Sequence, residues 1–87
     1  MDKEEFKKYI FEKQKIELIA NHSGMRQKVE FELKKIKMGQ KNLFVLYTQK
    51  PINASELIRL ADEFDFPFEG TAGRFFPKNK KASDFLV

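Results

Sequence analysis

The side chains with most chemical potential in this chain are its cations and its aromatic rings. Between Arg74 and Lys81 four basic residues (Arg74, Lys78, Lys80 and Lys81) occur with no acid among them, and Phe75 and Phe76 lie inside the run. Cations at such spacing can neutralise successive phosphates, and neighbouring rings offer faces on which unpaired bases stack. A second basic stretch holds Arg26, Lys28, Lys34, Lys35, Lys37 and Lys41 against only Glu30 and Glu32. Between the two stretches, the window from Glu56 to Glu69 holds five acids (Glu56, Asp62, Glu63, Asp65 and Glu69) against the single Arg59. The net charge is only +4, yet its segregation gives a directional field able to orient a polyanion. The competing reading of each run is a solvated surface.

Other chemistries find little support. With no cysteine and a single histidine, disulfide scaffolds, thiol nucleophiles and cysteine-based metal sites are excluded. His22 stands between Asn21 and Ser23, but sequence neighbours do not supply the base-and-orienter geometry of a nucleophilic site. Asp62, Glu63 and Asp65 lack the alternating ligand spacing of a calcium loop and are expected to be solvated or paired with the basic C-terminal segment. No phosphate-loop or nucleophile-elbow motif occurs. The chain therefore reads as non-enzymatic, with no cofactor and no metal. Its longest apolar run, Leu43 to Tyr47, is far shorter than the roughly 20 residues of a membrane span. No membrane partner is expected, and without a charged-then-apolar start the location reads as cytoplasmic.

Eighty-seven residues allow one small core, so residues 1–87 are read as a single domain. Residues 2–13 open with acids, and Phe6, Tyr9 and Ile10 recur at helical spacing, which predicts an N-terminal helix with those three facing inward. From Lys15 the period becomes two: Ile16, Leu18 and Ala20, then turn residues Asn21 to Gly24, then Val29, Phe31 and Leu33. This predicts a β-hairpin. A helix from Ser23 to Met38 is the rival, because Met25, Val29, Leu33 and Ile36 also share a helical face. The unbroken apolar run Leu43 to Thr48 predicts a strand covered on both faces. Asn53 and Glu56 have capping-box spacing, flanked by Ile52 and Leu57, which predicts a capped helix over 54–65 ended by Pro67.

The fold class expected is α+β: an N-terminal helix, a three-stranded antiparallel sheet, the capped helix, and an irregular or short-helical basic C-terminal segment. Six of the ten phenylalanines fall between Phe64 and Phe85. They either anchor that segment to the core or leave a contact surface at Phe66, Phe68, Phe75 and Phe76.

The string from Pro51 to Phe64, followed by Thr71-Ala72-Gly73-Arg74-Phe75-Phe76 and closed by Phe85-Leu86-Val87, resembles helix-turn-helix and winged-helix DNA-binding domains over residues 51–87. The resemblance implies a second helix starting near Thr71, with Thr71 and Arg74 reading bases and Lys78, Lys80 and Lys81 holding phosphates. The order helix, three strands, helix is also similar to double-stranded RNA-binding domains, although Ala54-Ser55-Glu56 lacks the lysines that family places at its last helix. Gly70 and Gly73 offer a Gly-x-x-Gly pattern of low specificity. The expected function is a small nucleic-acid-binding protein, a regulator acting on DNA rather than RNA, using Arg26, Lys28, Thr71, Arg74, Lys78, Lys80 and Lys81. The alternative is a protein-interaction or homodimerising module built on the phenylalanine cluster.

Overall fold

The structure, a computed structural model, describes residues 1–87. Helix α1 (Lys3–Lys13) is followed by strands β1 (Lys15–His22), β2 (Met25–Met38) and β3 (Lys41–Tyr47), helix α2 (Ala54–Phe64), strands β4 (Phe68–Gly70) and β5 (Gly73–Phe75), and a 3-10 turn at Ala82–Asp84. The α+β class and the order of the first five elements match the sequence reading. The sheet itself is larger, with five strands in the order β1-β2-β3-β4-β5, and mixed, because β3 and β4 run parallel.

Helix α1 begins where Asp2 accepts the Glu5 amide at 2.8 Å, and it buries Phe6 and Ile10 but leaves Tyr9 at the surface. Residues 24–38 are strand, not helix. Ser23 and Gly24 both take positive φ, 56° and 78°, as a two-residue hairpin loop with a twist matched to its strands requires. At the other end of β2, Gly39 (φ +66°) opens the two-residue loop joining Met38 to Lys41.

Strand alternation sorts the side chains into two faces. Ile16, Leu18, Ala20, Val29, Phe31, Leu33, Phe44, Leu46, Phe68 and Phe75 face the helices and meet Phe6, Ile10, Leu57, Leu60, Ala61 and Phe64 in one core. Phe6 stacks on Phe64 with ring centroids 4.4 Å apart, and Phe31 meets Phe68 edge to face at 5.2 Å. As expected for the best-covered strand, β3 is central, and Leu43, Val45 and Leu46 are fully buried.

The C-terminal third departs most from expectation. Where the helix-turn-helix resemblance implies a second helix at Thr71, the chain forms a β4–β5 hairpin with Thr71 and Ala72 in its turn. Phe68 and Phe75 pair directly across this hairpin and both pack against the core. Gly70 packs closely on α2: a Cβ there would sit 3.2 Å from Leu57 Cδ1, so that side chain would have to shift slightly to admit one.

The capping box expected at α2 is also absent. Asn53 occupies the N-cap position without a side-chain bond. Glu56 reaches sideways instead, accepting the Asn21 amide at 2.8 Å and a two-pronged contact from Arg59, each prong 2.8 Å. Arg59 also reaches Glu63 at 2.8 Å. Glu56 is 5 % exposed, and this knot ties the first turn of α2 to the end of β1.

The Arg59 hydrogen bond holds the Glu56 carboxyl below its ordinary value of 4.5, despite the opposing pull of burial. The folded state therefore takes up this proton less readily than the unfolded chain. The resulting stabilisation is complete above about pH 4.5 and fades as the pH falls through the lower native value. Glu56→Ala is expected to cost about 2–3 kcal/mol at neutral pH by chemical denaturation, since it strands a main-chain donor and a partly buried guanidinium. Glu56→Gln should flatten the acid limb of stability against pH, and an unchanged limb would show that another carboxylate governs it.

Candidate nucleic-acid interface

The basic residues singled out in the sequence fall into three places. Arg26 and Lys28 lie on β2 beside the β1–β2 turn, on the sheet face turned away from the helices, opposite Asn21 and Ile19. Thr71 is at the exposed β4–β5 turn. Arg74 is on β5, and Lys78, Lys80 and Lys81 lie on the segment that follows.

Two of these cations are neutralised where they stand. Arg74 Nε donates to Glu69 Oε1 at 2.6 Å, and Glu69 also has Lys34 at 3.8 Å. Lys80 Nζ donates to Asp65 Oδ1 at 2.7 Å and lies 5.7 Å from the centre of the Phe85 ring. The Asp65 carboxyl is held below its usual range, first by that hydrogen bond. The backbone amide of Lys78 donates to Asp62 Oδ1 at 2.7 Å, leaving its ammonium free. The acids at the end of α2 thus moor the basic C-terminal segment, as their charge suggested.

The named clusters do not merge. Arg26 acts electrostatically on Glu56 in the first turn of α2, whereas Lys80 binds Asp65 just past its last turn. Nine residues of helix separate those carboxylates by about 14 Å. Between Arg26/Lys28 and the other end of β2, the same face carries Glu30 and Glu32, with Glu17 directly opposite Glu30. Arg26, Lys28, Lys78 and Lys81 keep side chains without a carboxylate in ion-pair reach.

The phenylalanine surface is not formed. Phe66 and Phe68 are interior, 4 % and 0 % exposed. Phe75 packs on the core, and Phe76 is half-buried and stacks on Phe85 at 6.2 Å. These rings fasten the C-terminal segment, which ends in a β-bridge from Leu86 to Leu43 and a pair of main-chain hydrogen bonds between Asn42 and Val87.

A further accessible concentration of positive charge is one that individual residue choice in the sequence passed over. β1 pairs with β2 only as far as Glu32, while β3 pairs from Glu32 to Met38. The β2–β3 hairpin beyond Glu32 therefore continues past β1 as an arm. Lys35, Lys37 and Lys41 on it are exposed and have no acidic partner. A signal for it was present: no Asp or Glu occurs between Glu32 and Glu56.

Two shallow cavities also open on the surface. One of about 290 Å³, at the point where β3 leaves β2, is lined by Glu30, Glu32, Tyr47, Thr48, Gln49 and Lys50. The other, about 210 Å³ and mostly apolar, lies between α1 and the C-terminal segment beside Phe11, Phe44 and Phe66. The first lies at the base of the arm, and the second reaches Phe44, which stands opposite Lys35. No group of three or more His, Asp or Glu side chains is arranged to hold a metal ion.

Glu69→Ala is expected to lower stability by no more than about 1 kcal/mol, because both of its cationic partners are substantially exposed. A thermal melt shifted far beyond the few degrees this implies would show a structural role for the Lys34–Glu69–Arg74 cluster. Compared with family models, curated proteins and solved structures, the chain matches none.

Proposed function

We propose that the protein binds duplex DNA through the β2–β3 arm, with Lys35, Lys37 and Lys41 on phosphates. The observation that carries this reading is the arm itself: a two-stranded ribbon, open along one edge, with three unpaired exposed lysines. A ribbon of this kind fits the major groove of B-form DNA, roughly 12 Å wide, whereas the corresponding groove of A-form RNA is too narrow for side chains to read.

Single-stranded nucleic acid is the poorer fit. Its binding relies on exposed rings for base stacking, and the arm presents none. The most exposed rings, Tyr9 and Phe11, are on α1, while Tyr47 has Lys34 over its face at 4.6 Å. Arg26 and Lys28 are free cations but stand beyond the acids of β2, so their contribution is smaller. Arg74 and Lys80, already bonded to carboxylates, contribute least.

Each lysine that neutralises a phosphate steepens the fall of log affinity with log salt by about 0.9 on B-DNA. Replacing Lys35, Lys37 and Lys41 together by alanine should therefore reduce the slope by about 2.7, as read by fluorescence anisotropy with a labelled duplex between 50 and 200 mM salt. Arg74→Ala should leave the slope almost unchanged. Absence of duplex binding by the unaltered protein at the lowest salt, or an Arg74→Ala loss equal to that of the triple variant, overturns the proposal.

A further inference from the structure

Hydrogen-bond direction along β2 marks an unpaired main-chain edge on the arm. The Leu33 amide points toward the β1 side, donating to the Gln14 carbonyl at 2.8 Å. Main-chain direction alternates along a strand, so the N–H and C=O groups of Lys35 and Lys37 point the same way. Nothing occupies that position, because β1 begins at Lys15, level with Glu32. Lys35 and Lys37 stand opposite Phe44 and Asn42 in β3. Asn42, opposite Lys37, exchanges its outward main-chain hydrogen bonds with Val87.

The remaining edges of the sheet are closed, short or unsuited. The Asn21 amide at the end of β1 is plugged by Glu56. β5 is three residues long, and the lower edge of β3 is covered by Leu86 and Val87. The outer edge of β1 from Lys15 to Ile19 stays open but carries no excess of either charge. Proteins discourage pairing at free edges with lysines, which repel a second copy of the same strand. Antiparallel pairing of two arms would set Lys35 of one against Lys37 of the other, a like-charge contact that costs stability. The same lysines favour an oppositely charged strand.

We infer that the free edge of the arm at Lys35 and Lys37 accepts an extended acidic peptide by strand addition, the peptide alternating acidic with apolar side chains. The alternation follows from the faces of β2. Lys35 and Lys37 project on the helix side of the sheet, where incoming carboxylates would meet them. Ile36, half-buried, and Met38, 38 % exposed, project on the other side and offer apolar contacts. Main-chain bonds to Lys35 and Lys37 supply register, and the two side-chain faces supply selectivity. This inference stands apart from DNA binding, which needs the ammonium groups but not the strand edge.

The probe is a labelled synthetic hexapeptide alternating glutamate and valine, titrated onto the full chain by anisotropy, with amide NMR shifts as a second readout. Binding should move the Lys35 and Lys37 amide signals most. Methylating the peptide nitrogens that face the arm should weaken binding at least about tenfold, because two main-chain hydrogen bonds are lost while all charges remain. In the protein, Lys35→Pro removes an outward N–H that β3 does not use, a change edge strands tolerate. Lys35→Ala removes only the charge. Peptide binding should fall further for Lys35→Pro than for Lys35→Ala, while duplex binding should fall equally for both. Equal affinity of methylated and unmethylated peptides overturns the inference whatever the duplex result, as does a shift map centred away from Lys35 and Lys37.

Discussion

One strand shared by two hairpins governs the architecture. β2 is paired with β1 along its first part and with β3 along its last, and Glu32 alone has a strand partner on both sides, Lys15 and Tyr47. A straight strand of fourteen residues would measure about 46 Å. The molecule extends 39 Å along its longest principal axis, so β2 is comparable in length to the whole molecule. The offset of the two hairpins leaves the β2 edge of the arm without a neighbouring strand and gives the structure two ends of different character.

The core works within that offset through aromatic packing. Phe6, Phe31, Phe64 and Phe68 form a continuous set of ring contacts linking α1, β2, α2 and β4. A second group of rings joins Phe11 of α1 to Phe44 and Phe66, 5.0 Å and 6.3 Å away. Edge-to-face and offset contacts of this type add directional preference to the burial of large apolar area. They explain how a short chain secures a three-residue strand such as β4. The Glu56–Arg59–Asn21 knot complements this packing, because it satisfies a buried carboxylate and closes a strand end together.

What the sequence made legible follows from how local each signal is. The acidic start of α1, the turn at Ser23-Gly24, the apolar run of β3 and the Pro67 stop after α2 depend on neighbouring residues, and all appear in the structure. Glu56 illustrates the limit. Its spacing from Asn53 describes a capping box, but the competing acceptor demand comes from Asn21, thirty-five residues away, and no local pattern reports that. β4 and β5 were hidden for a related reason: three-residue strands are too short to show periodicity, and the pairing of β4 with β3, which brings the small β4–β5 hairpin into the sheet, is non-local. Among the candidate site residues, charge runs located the positive segments correctly. They could not show that Arg74 and Lys80 had carboxylates against them, or that Lys35, Lys37 and Lys41 did not.

The shared strand also sets an order of assembly. Both hairpins close through two-residue loops, so their contacts are nearly sequential and form with little loss of chain entropy. The parallel β3–β4 pair joins segments on either side of α2, and the Leu86 bridge reaches back across more than forty residues to Leu43. Such distant contacts come late in a cooperative folding reaction. The three-stranded meander is thus the natural nucleus, with α2, β4, β5 and the final bridge condensing onto a scaffold whose middle strand is already fixed by neighbours on each flank.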